Sequence, residues 1–159
     1  MNEGVAMLIA APVVFGSLVA LFSLLRVLFP GQVGRAKAAT IEMPGRSFAL
    51  GTVNLLFLSV IVAAFGALGG RGAGVFQLLA LILLGLLVIA LGFGLTGMSV
   101  LIGERLLPEA SSTRQTAWGA TSLVLACLTP FLGWFGLFPY LAIQGLGGFL
   151  IGLFRRPPA

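Results

Sequence analysis

Acid–base chemistry in this chain would have to come from Glu3, Glu42, Glu104 and Glu109, since these are its four acidic residues and it has no histidine. Proton transfer needs such groups held together near a reacting atom, and zinc ligation needs Cys, His or carboxylates in clusters. The four glutamates are widely separated and lie at or beyond the ends of apolar runs, so neither chemistry is expected. Cys127 is the single cysteine. It lies inside an apolar run, can form no intrachain disulfide, and reads as a small buried hydrophobe.

Gly92-Phe93-Gly94-Leu95-Thr96-Gly97 matches the letters of the G-x-G-x-x-G dinucleotide fingerprint. That motif needs a strand before it, a helix after it and an acidic residue about twenty positions on. Here the glycines lie within one long apolar segment, and the match follows from glycine content. Ser17, Thr52, Ser59, Thr96, Ser99, Thr121, Ser122 and Thr129 have no base to activate them and read as helix-packing hydroxyls. No enzyme activity, metal or cofactor is expected. Asn54 and Gln144 could hydrogen-bond across helices or line a pore. Glu104 and Arg105 are adjacent and do not face each other on a helix, so Arg46 or Arg114 is an equally good partner for Glu104.

The elements that carry these residues follow from composition. Of 159 residues, 59% are hydrophobic and 8% charged, with mean hydropathy +1.15. A soluble domain carries about a quarter charged residues, so the apolar surface must face lipid. The reading is one all-α domain, 1–159: a polytopic transmembrane helix bundle of four to five membrane segments, at 5–29, 48–68, 75–102, 118–132 and 138–154. The third, about 42 Å at the helical rise, exceeds a bilayer core and must tilt or protrude. The final apolar stretch contains Pro130 and Pro139, which do not fit a helix interior. Gly133-Trp134-Phe135-Gly136 between them predicts a tight turn with an aromatic at the interface. The last two segments therefore form a Pro/Gly-broken helical hairpin, either crossing fully or re-entrant.

Charge distribution sets the orientation. With five crossings and the N-terminus outside, Arg26, Arg35, Lys37, Arg46, Arg105, Arg114, Arg155 and Arg156 fall on the cytoplasmic side and Arg71 alone on the other, as the positive-inside rule expects. The expected location is a bacterial inner membrane. The first run has no preceding positive charge and no small-x-small cleavage site, so it should remain as an anchor. Residues 30–47 predict a short interfacial helix carrying Arg35 and Lys37 towards headgroups. Despite a pI near 11.2, the bases are scattered singly without a stripe, which does not favour nucleic acid.

The 23 glycines predict close helix packing. Gly66 with Gly70, Ala90 with Gly94, and Gly148 with Gly152 have the four-residue spacing that puts small residues on one helix face, where backbones can approach in lipid. Packing within the chain, self-association or other membrane subunits would use such faces.

Met43-Pro44-Gly45-Arg46-Ser47-Phe48-Ala49-Leu50-Gly51, Gly103-Glu104-Arg105-Leu106-Leu107, Leu128-Thr129-Pro130-Phe131-Leu132-Gly133-Trp134 and the run from Gly145 through Gly148-Phe149-Leu150-Ile151-Gly152 to Arg156 occur in a familiar order. Over about residues 29–156 the chain resembles the multi-spanning membrane domain found alone or at the C-terminus of bacterial bactofilin-like, so-called polymer-forming cytoskeletal, proteins. The resemblance implies a membrane anchor and carries over no catalytic residue. The β-helical polymerising domain of some members is not present in this sequence. The expected function is a non-enzymatic anchor, scaffold or accessory subunit of a membrane complex. The alternative is an oligomeric pore or carrier for a small solute.

Overall fold

The computed structural model describes residues 3–70, 72, 74–129 and 131–154, with side chains from Pro12 onward except those of Leu128 and Trp134. Helix α1 spans Glu3–Leu28, α2 Pro30–Glu42, α3 Pro44–Gly69, α4 Gly74–Leu106, α5 Ser112–Leu128 and α6 Phe138–Phe154, with a π-helical turn at Leu132–Leu137 leading into α6. There is no strand among the described residues, as the all-α reading required.

Prolines set most of the breaks. Proline disfavours α geometry in the residue before it, and is itself well suited to the first helical position. Phe29 (φ −129°, ψ 55°) precedes Pro30, and Met43 (φ −134°, ψ 60°) precedes Pro44; α2 and α3 each begin on the proline. Leu107, before Pro108, is the first residue after α4. Thr129 is extended (φ −64°, ψ 123°) ahead of position 130. Pro12, by contrast, lies within α1.

The break at Phe29 changes the expected course of the first segment. The helices on either side of it meet at 103°, so 5–29 does not run on into a loop. It leads into α2, which buries Val33, Ala36, Ala39 and Thr40. These positions recur every three or four residues, one stripe of a helix. The short helix expected in 30–47 is therefore present but packed into the bundle along that stripe.

The second correction concerns the last hairpin. The expected turn at 133–136 is helical, and the described backbone leaves α geometry earlier, at Thr129 and Phe131. Phe138 N–H bonds to Gly133 O in the wide i→i−5 register. Pro139 follows directly, with no N–H to give and a ring that crowds the preceding turn of an α-helix. A π-turn ahead of it widens the backbone where that crowding would fall. Pro139 thus sits in the first turn of α6 and does not end a helix.

Among the described residues, which for this purpose include α1 only from Pro12, three helices are long and apolar enough to cross a membrane: Pro44–Gly69, Gly74–Leu106 and Phe135–Phe154; the bent α1–α2 pair makes a fourth if it counts as one span. With that pair the number is four, the lower of the two expected; without it three, one fewer. Helix α5 has 17 residues, about 26 Å, and alone falls short of the ~30 Å hydrocarbon core.

Burial is uneven. In their most apolar windows, α3 is 6% buried within the chain, α4 22% and α6 50%. Most of the buried residues of α4 lie in its second half, Phe93 to Gly103, with Ala80 and Leu87 the buried positions before them. One core cluster joins Phe22 of α1 to Met98, Ala120, Leu123, Val124 and Leu141. The other joins Val33 and Ala36 of α2 to Phe93, Val100 and Phe149. In the second, the Phe93 ring stacks on Phe149 (centroids 5.2 Å, interplanar 8°) and meets Phe29 edge-on at 5.4 Å.

Candidate functional site

Helix α6 lies at the meeting point of the bundle because glycine removes side chains on two of its faces. Gly145, Gly148 and Gly152 recur at i, i+3 and i+7 and so share one face. Gly145 lies against the backbone of Gly94 on α4; a Cβ there would meet Gly94 C at 2.8 Å. Gly148 faces Thr40 and the Ala36 carbonyl of α2, and Gly152 faces Arg35 and Ala36 of the same helix. On the opposite face, Gly147 rests on the Ser47 carbonyl of α3, while Gly51 of α3 rests on the Ile143 carbonyl. A side chain at Gly51, Gly145, Gly147 or Gly148 would overlap backbone atoms, and one at Gly152 would crowd them at 3.0–3.2 Å.

A second seam joins α4 to α5. Gly103 lies against the Gln115 carbonyl and Gly119 against that of Ser99. Gly97 approaches Lys37 N of α2, at 3.3 Å from a Cβ position. Of the six packing residues expected, Gly94, Gly148 and Gly152 are at interhelical contacts, and Ala90 packs beside the Val33 cluster. Gly66 and Gly70 are not: a Cβ on Gly66 meets nothing within 4 Å, and one on Gly70 meets only carbonyls of its own helix, at 3.6 and 3.7 Å. This part of α3 has no helix over it on that face. Gly51, Gly103, Gly119, Gly145 and Gly147 were missed. Ser47 with Gly51, and Ser99 with Gly103, have the same four-residue spacing once serine is counted as small, and that signal would have found Gly51 and Gly103 but not Gly119, Gly145 or Gly147.

Within the expected turn, Gly133 is required by space, since a Cβ would meet the Ala126 and Cys127 carbonyls at 2.6 and 2.5 Å. Gly136 faces open space. Trp134 has its backbone in the π-turn, and the expectation for its side chain, like that for Pro130, lies outside the described residues. Phe131 stands at φ 67°, ψ −68°, the rare and strained dihedral combination found in γ-turns of positive φ.

Charged groups gather where α2 meets the ends of α4 and α6. Lys37 Nζ donates to both carboxylate oxygens of Glu104, at 2.7 and 2.8 Å. The partner of Glu104 is thus Lys37, and neither Arg46 nor Arg114, because α2 folds back onto α4. Arg26 donates to the Pro30 carbonyl (3.5 Å) and Arg35 to the Gly31 carbonyl (3.4 Å). Arg46 touches Met43 Sδ at 3.7 Å. Arg105 and Arg114 are exposed beside the α4–α5 loop; Arg71, Arg155 and Arg156 lie outside the described residues. Gln115 Nε2 holds that loop by donating to the Leu107 (2.9 Å) and Pro108 (3.3 Å) carbonyls.

Hydroxyls inside the bundle donate mostly within their own helices, while that of Ser47 donates to the Ala39 carbonyl of α2 at 3.3 Å. Thr96, Ser99 and Thr116 are fully buried, and each hydroxyl donates to the carbonyl four residues back in its own helix. Such bonds let a hydroxyl sit in apolar surroundings without a partner helix. Asn54 does likewise: its Nδ2 donates to Leu50 O at 2.9 Å, and not across helices as expected. Gln144 is buried, 6% exposed, in α6. No buried side-chain nitrogen or oxygen among the described residues lacks a hydrogen bond. No group of three metal-ligating side chains occurs among them. No family model, curated protein or solved structure matches the chain.

Proposed function

We propose that this protein is a non-enzymatic anchor or accessory subunit of a membrane assembly, held in a bacterial inner membrane with its N-terminus outside and its C-terminus in the cytoplasm. The observation that carries the reading is the contrast between α6 and the α3–α4 pair. Around α6 the chain packs to backbone contact, whereas α3 and the first half of α4 present large apolar side chains outward, among them Leu56, Phe57, Val60, Leu81, Ile82 and Val88. A surface of this kind fits lipid and the helices of a partner. The likeness to the membrane domain of bactofilin-like proteins suits the same role.

The alternative, an oligomeric pore or carrier for a small solute, receives less support. Most buried hydroxyls are turned onto their own helices, that of Ser47 donates to the Ala39 carbonyl of α2, and Asn54 lies on an outer groove between α3 and α6. The orientation rests on the shared end of the bundle occupied by Lys37, Arg105 and Arg114 and on the positive-inside rule.

Extraction of the native membrane into lipid nanodiscs without detergent, followed by native mass spectrometry, tests the proposal. The expected result is a complex of fixed stoichiometry, with itself or with other membrane proteins. Recovery as a lone monomer overturns it. A C-terminal reporter that is active only outside the cytoplasm should stay silent.

A further inference from the structure

We propose that the groove between the start of α3 and the end of α6 seats one phospholipid with an anionic headgroup, its acyl chain along the groove and its phosphate at Arg46. The proposal does not depend on the subunit role above. The groove has a volume of about 420 Å³ and is lined by Met43, Leu50, Asn54, Leu150, Ile151 and Phe154. Its walls are apolar apart from Asn54, whose amide donates to the Leu50 carbonyl of its own helix.

A peptide laid there would bring backbone N–H and C=O groups against a wall that cannot answer them, which is costly in apolar surroundings. A hydrocarbon chain brings none. The groove also opens sideways, on the surface that lipid would solvate: Leu50 and Phe154 at its two sides are exposed.

The headgroup preference comes from charge. Arg46, Leu50 and Asn54 are spaced i, i+4 and i+8, one stripe along α3, with Arg46 at the helix start. Its exposed guanidinium touches Met43 Sδ, itself part of the groove wall, at 3.7 Å. A thioether is a weak acceptor, and among the described residues no carboxylate is paired with Arg46, so its positive charge is uncompensated there. Lys37 differs, because Glu104 takes its charge. An apolar slot that ends one turn from an uncompensated guanidinium has the chemistry of a lipid phosphate site, and arginine is suited to bind phosphate through two parallel N–H bonds.

The test uses the full chain, delipidated in mild detergent and offered equal amounts of phosphatidylglycerol and phosphatidylcholine with the same acyl chains. Native mass spectrometry then counts the lipid retained. The native chain should keep phosphatidylglycerol over phosphatidylcholine by about fivefold, the equivalent of about 1 kcal/mol for one basic side chain near a headgroup. Arg46→Gln, an exposed change that leaves packing intact, should bring the ratio to parity, while Arg105→Gln should leave it unchanged. Leu150→Trp, which fills the groove, should reduce retention of both lipids. Glycerol 3-phosphate alone should not be retained. Equal retention of the two lipids by the native chain, or an undiminished preference in Arg46→Gln, overturns the proposal. Retention of glycerol 3-phosphate as strong as that of the lipid also overturns it, because the site would then take a soluble phosphate.

Discussion

Lys37 and Glu104, 67 residues apart in the chain, are joined by two hydrogen bonds of 2.7 and 2.8 Å that fasten α2 to the last turn of α4. Each side chain is part-exposed, at 24% and 36%, so the pair is partly screened by solvent. Exposed pairs of this kind contribute about 0.2–1 kcal/mol. Lys37→Met and Glu104→Gln should each lower the thermal midpoint slightly in mild detergent. The charge-swapped double variant, Lys37→Glu with Glu104→Lys, should recover more than half of the loss. Additive losses in the double variant would show that the two side chains do not act as a pair.

Gly145 and Gly94 give a sharper test. Overpacking a filled interior costs about 1–3 kcal/mol, and here the obstruction is backbone on both sides. Gly145→Ala and Gly94→Ala should therefore destabilise by at least that range. Gly66→Ala, in open space, should be neutral or stabilise by up to about 1 kcal/mol, since alanine favours a helix over glycine. Unfolding followed by circular dichroism separates the outcomes, and equal effects at all three positions would contradict the packing described for α6.

Phe131 holds a sparsely populated backbone conformation (φ 67°, ψ −68°) that costs an L-residue about 1–3 kcal/mol. Phe131→Gly should raise the midpoint and Phe131→Val, with a branched Cβ, should lower it. The side chain is 81% exposed, so little packing is lost in either case. A lower midpoint for the glycine variant would refute the strain.

Gln115 closes the α4–α5 connection through its two bonds to carbonyls at 107 and 108. Gln115→Glu keeps the shape but removes the donor, at a cost of about 1 kcal/mol. Amide exchange in 106–112 should accelerate, while exchange at 141–149 stays as it is.

What the sequence made legible was the part governed by local rules. Phe29, Met43, Leu107 and Thr129 each precede a proline, and each marks a break. Apolar length identified α3, α4 and α6. What it did not reveal depended on neighbours. Pro139 looks like a breaker in isolation, but the π-turn before it absorbs the crowding. Gly66 and Gly70 have the spacing of a packing pair, yet no helix lies over that face. Gly145 and Gly147 have no four-residue partner in the chain, because their partners are Gly94 and Ser47 on other helices. The pairing of Lys37 with Glu104 required the 103° bend at Phe29, which sets the course of α2 against α4.

The placement of α6 also bears on the order of assembly. Helices α2, α3 and α4 all leave the ribosome before the helix whose glycines they touch. Until α6 enters the bilayer, the surfaces at Ala36, Ser47 and Gly94 have no neighbour to close against. The nascent protein must pass through an interval of open seams, and a chain halted before residue 138 would be exposed to quality-control proteolysis throughout it.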